Sequence, residues 1–195
     1  MEIASALGGI GAAFGLSSSA GLNAYIPLLI VSLASRFPAN NPLIQLGDPY
    51  NVLGNGWVIG VLVVLLLIEM TVDKIPAVDT VNDIIQTLVR PAAGAVLFAA
   101  NANVITDISP VLAIIAGLIL AGGVHATKGA ARPVVTAGTA GTGNWLVSVI
   151  EDIVAVGISI LSILLPVLAL FVMLALILFI VLRYRRRKQR KRRVA

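Results

Sequence analysis

Long hydrocarbon runs separated by short polar clusters set the plan of this 195-residue chain. Several runs reach or exceed the roughly 20 apolar residues that a helix needs to cross a bilayer. The first, over about residues 9–35, is interrupted at Ser17-Ser18-Ser19-Ala20-Gly21-Leu22-Asn23-Ala24 and again at Pro27. A polar, small-residue break at that depth is tolerated only where it is buried in protein or faces a water-filled cavity. Residues 36–56, with prolines at 38, 42 and 49, read as an aqueous loop. A second helix starts near Trp57 and runs to about Lys74, and Pro76 ends it because the residue before a proline avoids helical angles.

Within residues 79–90, Val81, Ile84, Ile85 and Leu88 form the i, i+3, i+4, i+7 stripe of a short amphipathic helix. Pro91 opens a third hydrophobic segment of small residues that ends near Asn101-Ala102-Asn103. A fourth helix covers about 110–128, a Gly/Thr-rich loop covers 129–143, and a fifth helix begins at Trp145. The hydrophobic run from there to Leu182 is too long for one helix, so it is expected to fold into a hairpin near 162–166. Residues 167–182 then form a sixth helix. The pattern predicts an all-α polytopic protein of about six transmembrane helices, a single membrane domain over 1–182 with a basic cytoplasmic tail over 183–195.

Composition agrees with the pattern. The chain is 58% hydrophobic and only 12% charged, against about 25% charged in soluble domains, and its mean hydropathy is +1.01. Eighteen glycines suit close helix packing in lipid. The absence of cysteine excludes disulfides, thiolate metal sites and cysteine nucleophiles. The first residues carry Glu2 and no basic run, a poor secretory signal.

The net charge of +5 arises in the tail, which holds nine of the fourteen Lys and Arg residues. The rest of the chain has five basic against nine acidic residues, so nucleic acid is not an expected partner. The tail, including Arg185, Arg186, Arg187 and Lys188, reads as an anchor attracted to anionic lipid headgroups, with binding of RNA or a partner protein as the alternative. In the six-helix threading Lys74, Arg90, Lys128, Arg132 and the tail share one side, and Arg36 with Asp48 and Asp107 the other. The positive-inside rule then puts both termini in the cytoplasm of a prokaryotic-type plasma (inner) membrane.

Two halves, about 9–106 and 107–182, share a faint pattern. Gly21-Leu22-Asn23-Ala24 with Pro27 matches Gly123-Val124-His125-Ala126 with Pro133. A loop, a Trp (Trp57, Trp145) and an intramembrane Glu (Glu69, Glu151) follow in each. Three helices per copy implies an inverted repeat with broken first and fourth helices, the plan of many secondary transporters.

The candidate chemistry follows from carboxylates where carboxylates are costly. Glu69 and Asp73 share one helix face, and Glu151 and Asp152 sit well inside the fifth helix. If the halves are inverted, Glu69 and Glu151 approach each other and can bind a metal cation or share a proton. The bland alternative is packing, with Lys74, Lys128 or Arg132 neutralising them in ion pairs. Asn23 and the single histidine, His125, occupy matched positions beside the possible site, His125 as a proton carrier or as a packing residue. Asp79 and Asp83 read as a solvated face or as a cytoplasmic vestibule that attracts cations. The G-T-A-G-T-G loop lacks the Lys-Ser/Thr of a phosphate loop, and neither a nucleophile elbow nor H-x-x-x-H is present, so no cofactor and no enzyme are expected.

Four stretches together resemble a known family. They are E-x-x-x-D-K-I-P-x-V-D from Glu69, R-P-A-A-G-A from Arg90, G-G-V-H-A-T-K-x-x-x-R from Gly122 and N-W-x-x-S-x-x-E-D from Asn144. They resemble the integral membrane proteins of the domain of unknown function 4126 family, over roughly residues 8–170. That resemblance implies a membrane fold and assigns no activity. A second likeness is to small cation/proton exchangers built on two E-x-G-D-K-[ST] motifs. Here Glu69 to Lys74 has one extra residue and no glycine, and Glu151-Asp152-Ile153 lacks the Asp-Lys. The expected function is a secondary transporter or exchanger of a cation coupled to protons, working as a homo-oligomer. The alternative is a non-transporting scaffold or lipid-binding protein.

Overall fold

A computed structural model describes residues 2–72, 76–102, 109–139, 143–169 and 171, 172, 175 and 178. All regular structure among them is helical. The helices are α1 (Glu2–Leu22), α2 (Tyr25–Arg36), α3 (Gly56–Val72), α4 (Pro76–Ala102), α5 (Pro110–Thr139) and α6 (Asn144–Leu164), with a 3-10 turn at Tyr50–Gly54. Among the described residues three helices are long and apolar enough to cross a membrane: Ile84–Asn101 of α4, Pro110–Thr139 and Asn144–Leu164. Ala6–Leu22, Tyr25–Arg36 and Gly56–Val72 are shorter apolar helices.

The expected break in the first helix is present but narrower than the polar stretch suggested. Ser17 and Ser19 stay helical with their hydroxyls on neighbouring helices. Ser17 donates to the Gly94 carbonyl (2.8 Å), and Ser19 donates to the Ala155 carbonyl (2.9 Å) and lies 2.9 Å from Ser159 Oγ. The chain breaks only at Asn23-Ala24. Pro27 falls in the first turn of α2, where a missing amide leaves no ladder bond unmade.

Two expected boundaries are corrected. Residues 79–90 and the segment after Pro91 form one helix, α4, with Pro91 inside it. A proline removes one ladder bond, and here both flanks are fixed by packing, Arg90 against α3 and Gly94 against α5. The expected loop over 129–143 is helical as far as Thr139. Thr127, Thr136 and Thr139 return their hydroxyls to the carbonyls of Gly123, Arg132 and Val135, so these threonines satisfy themselves within the helix. The expected end of the fifth helix near 162–166 matches the end of α6 at Leu164.

Glycine sets the contact at the centre. A Cβ on Gly94 would lie 2.8 Å from the Gly117 carbonyl oxygen, and one on Gly117 would lie 2.6 Å from Ala95 Cα. Gly21 meets the Ala121 carbonyl and Val124 in the same way. Small residues thus let α1, α4 and α5 touch backbone to backbone. Leu16, Ala20, Ala93, Leu97 and Ala121 fill one core cluster, and Ala13, Phe98, Ala99 and Ala113 another. The Phe14 and Phe98 rings meet edge-on at 5.3 Å.

These pairings give the directions of the helices. Ala13 clusters with Ala113 and Gly21 packs on Ala121, so α1 and α5 run side by side in the same sense. Contacts Ser17–Gly94 and Phe14–Phe98 make α4 antiparallel to α1. Contacts Gly15–Ser162, Ser19–Ser159 and Asn23–Asp152 do the same for α6. An inverted repeat needs its first helices to run in opposite senses, and α5 is continuous through Gly123 where the second break was expected. Gly21 and Gly123 are not equivalent either, since among the described residues no group of another helix lies within 4 Å of a Cβ at Gly123.

Candidate functional site: two ion pairs at a helix break

The break between α1 and α2 leaves carbonyls at one helix end and amides at the other, and in an apolar surrounding both need partners. Asn23 serves the amide end. Its Oδ1 accepts from the backbone amides of Tyr25 (3.0 Å) and Ile26 (3.1 Å), and its Nδ2 donates to Asp152 Oδ1 of α6 (2.9 Å). Lys128 of α5 serves the carbonyl end, its Nζ donating to the Leu22 carbonyl at 3.4 Å. The Lys128 ammonium also pairs with Glu151 of α6 at 2.7 Å, with side-chain exposures of 4% and 14%.

A second ion pair lies deeper. Arg90 Nη2 of α4 donates to Glu69 Oε1 of α3 at 3.0 Å, and the two side chains are 1% and 2% exposed. The pair closes the last turns of an otherwise hydrocarbon α3 against α4. Arg90 Nη1 also meets His125 Nδ1 at 3.2 Å, and His125 Nε2 meets Thr87 Oγ1 at 3.2 Å. A guanidinium only donates, so Nδ1 accepts and the ring proton sits on Nε2, facing Thr87. One turn before Arg90, buried Gln86 meets the Tyr25 hydroxyl, which also lies in the field of Glu69 and Arg90. Gln86 Oε1 and Arg90 Nε have no hydrogen-bond partner among the described residues.

Of the residues singled out in the sequence, Glu69, His125, Asn23, Glu151, Asp152 and Lys128 gather around the break. Glu69 and Glu151 do not face each other: each meets a cation, and for Glu151 that cation is Lys128, as the ion-pair alternative expects. Among the described residues no group of three or more His, Asp or Glu converges as a metal centre needs. Glu69 and Glu151, the expected metal pair, belong to separate ion pairs. Arg132 lies in α5 within the electrostatic reach of Lys128. Asp73, Lys74 and the tail residues Arg185, Arg186, Arg187 and Lys188 lie outside the described residues, as do the side chains of Asp79 and Asp83. Arg90 and Gln86 were missed. Four residues apart on α4, they signalled a shared polar face in a segment flanked by apolar residues.

A family model described as a domain of unknown function, DUF4126, matches residues 10–186. The chain belongs to the DUF4126 family. No curated protein and no solved structure matches it. The four stretches that carry the DUF4126 resemblance lie far apart in sequence, yet they supply both partners of each ion pair. Glu69 comes from the first, Arg90 from the second, His125 and Lys128 from the third, and Glu151 and Asp152 from the fourth.

Proposed function

We propose that this chain is a secondary membrane transporter that couples movement of a small ion or solute, in the first instance a cation, to protons. The observation that carries the reading is the meeting of two ion pairs, Glu69–Arg90 and Glu151–Lys128, at a broken helix. Ionisable groups inside membrane helices mark ion and proton paths, and broken helices mark binding sites in transporters. Each pair is neutral at rest. Protonation of either carboxylate releases its cation and changes the charge beside the helix break, which is the event that a coupled transporter needs. The link at Asn23-Ala24 is the hinge about which α2 and α3 move against α1, α4, α5 and α6. In this proposal those four helices cross the bilayer, and α2 with α3 forms a half-depth hairpin. A prokaryotic-type inner membrane, a homo-oligomer and docking of the basic tail to anionic headgroups complete it.

The test is proton movement in proteoliposomes, read by a trapped pH dye while monovalent and divalent cations are added outside. A cation-driven signal in the wild type that is lost in Glu69→Gln and Glu151→Gln, both still folded, is the expected result. The scaffold reading is favoured by one observation: both carboxylates are already neutralised, which is all that packing requires. It predicts no signal with any ion and a loss of thermal stability in both variants.

A further inference from the structure

Lys128 reaches from α5 to a place that two other helices build. The carbonyl end of α1 carries the negative pole of that helix, equivalent to about half an elementary charge, and the Leu22 carbonyl there accepts from Nζ at 3.4 Å. The Glu151 carboxylate of α6 stands 2.7 Å from the same nitrogen. The two oxygens that the ammonium meets therefore come from α1 and α6, while α5 supplies its stem. A helix-end carbonyl with a carboxylate is the donor set that holds a monovalent cation where a membrane helix is broken. Two oxygens are few for a metal ion, which takes about six or more oxygen ligands when it is a hard cation such as calcium. They suit an ammonium, whose hydrogen-bonding capacity is three donors.

We propose that Leu22 O and Glu151 form a binding site for a primary ammonium group, and that Lys128 is its resident occupant. The neighbouring cations Arg90 and Arg132 lie within electrostatic reach of Nζ, so the site accepts one positive charge at a time. A cationic cargo reaches Glu151 only by displacing Lys128. This deepens the transporter reading and rests on it for what the site is used for. The test below is a binding measurement, so failure of the site and failure of transport are separately visible.

Lys128→Ala removes three methylenes and the ammonium, a volume that n-propylammonium fills. Thermal unfolding of the purified chain in detergent is followed in choline chloride with n-propylammonium, methylammonium, potassium or sodium added. The expected result is a rise of a few degrees in the Tm of Lys128→Ala with n-propylammonium, climbing with the logarithm of concentration once the site saturates. Methylammonium produces a smaller rise, and sodium and potassium none. Wild type does not respond, since its site is filled, and neither does Lys128→Ala/Glu151→Gln, which lacks the carboxylate. A Lys128→Ala protein that no primary ammonium stabilises overturns the proposal, as does an equal response from the double variant. If Lys128→Ala stays unfolded in every salt, Lys128→Met, which keeps the length of the stem and vacates the place of the nitrogen alone, is tested with ammonium. Should both single variants stay unfolded with ammonium present while the double variant folds, the site takes no free cation and the proposal fails.

Discussion

Arg90 is the residue on which the site turns. Its guanidinium is almost wholly buried and contacts Glu69 and His125 at once. Burying two charges is costly, and their attraction offsets the cost only while both are present. Arg90→Met therefore leaves Glu69 buried without its guanidinium and is expected to destabilise the protein by about 3–5 kcal/mol, the usual cost of breaking a buried pair. Glu69→Gln/Arg90→Met removes both charges and is expected to regain most of that loss. Thermal unfolding of both variants beside wild type in one detergent decides the matter, and equal Tm values for the single and double variants would mean that a buried Glu69 without its guanidinium carries no cost. At this scale the sequence was half legible. A glutamate at the end of a pure hydrocarbon run, Gly60 to Ile68, announces itself by its cost. Its partner did not, because an arginine just before Pro91 reads equally well as a charge marking the membrane surface.

The elements were less legible than the residues, and for one reason. In the sequence proline, glycine and threonine mark boundaries, while in α4 and α5 they lie inside helices whose flanks are held by neighbours. Local propensity is a weak prior once tertiary contacts fix both sides of a residue. Glycines of equal appearance in the sequence thus carry unequal weight. Gly117 faces the backbone of α4, whereas among the described residues no group of another helix lies within 4 Å of a Cβ at Gly123. Gly117→Val is expected to force α4 and α5 apart at a cost of about 1–3 kcal/mol or more, and Gly123→Val to stay within about 1 kcal/mol. Because Arg90, His125 and Lys128 ride on those two helices, Gly117→Val should also weaken both ion pairs. A Tm for Gly117→Val as high as that for Gly123→Val would show that the close α4–α5 approach is not maintained.

At the scale of the molecule, membrane character was plain from the hydrocarbon runs, and the relative sense of the helices was not. Exposed apolar side chains such as Val64, Leu67, Leu112, Ile119, Ile153 and Leu164 give α3, α5 and α6 outward faces suited to lipid. Direction is a property of pairs of helices, and the pairs are formed by Gly, Ala and Ser contacts that leave no distinctive mark in one sequence. The positive-inside assignment also takes Arg90 and Lys128, at expected helix ends, as charges of one side, although both are buried in ion pairs within α4 and α5. With α1 and α5 parallel, the start of α1 shares an end of the bundle with Ser109, at the start of α5. The exposed Ala137 near the end of α5 lies at the other. The six-helix threading instead puts the chain's first residues and Ala137 on one side. Since the chain has no cysteine, Ser109→Cys and Ala137→Cys can each be labelled alone with a membrane-impermeant maleimide in sealed vesicles, beside an N-terminal epitope tag digested from the same side. The tag and Ser109→Cys are expected to respond together and Ala137→Cys only after permeabilisation, or the reverse in inverted vesicles. If the tag and Ala137→Cys respond together, α1 and α5 cross in opposite senses. The parallel packing that brings Lys128 to the carbonyl end of α1 would then be wrong, and the ammonium site would go with it.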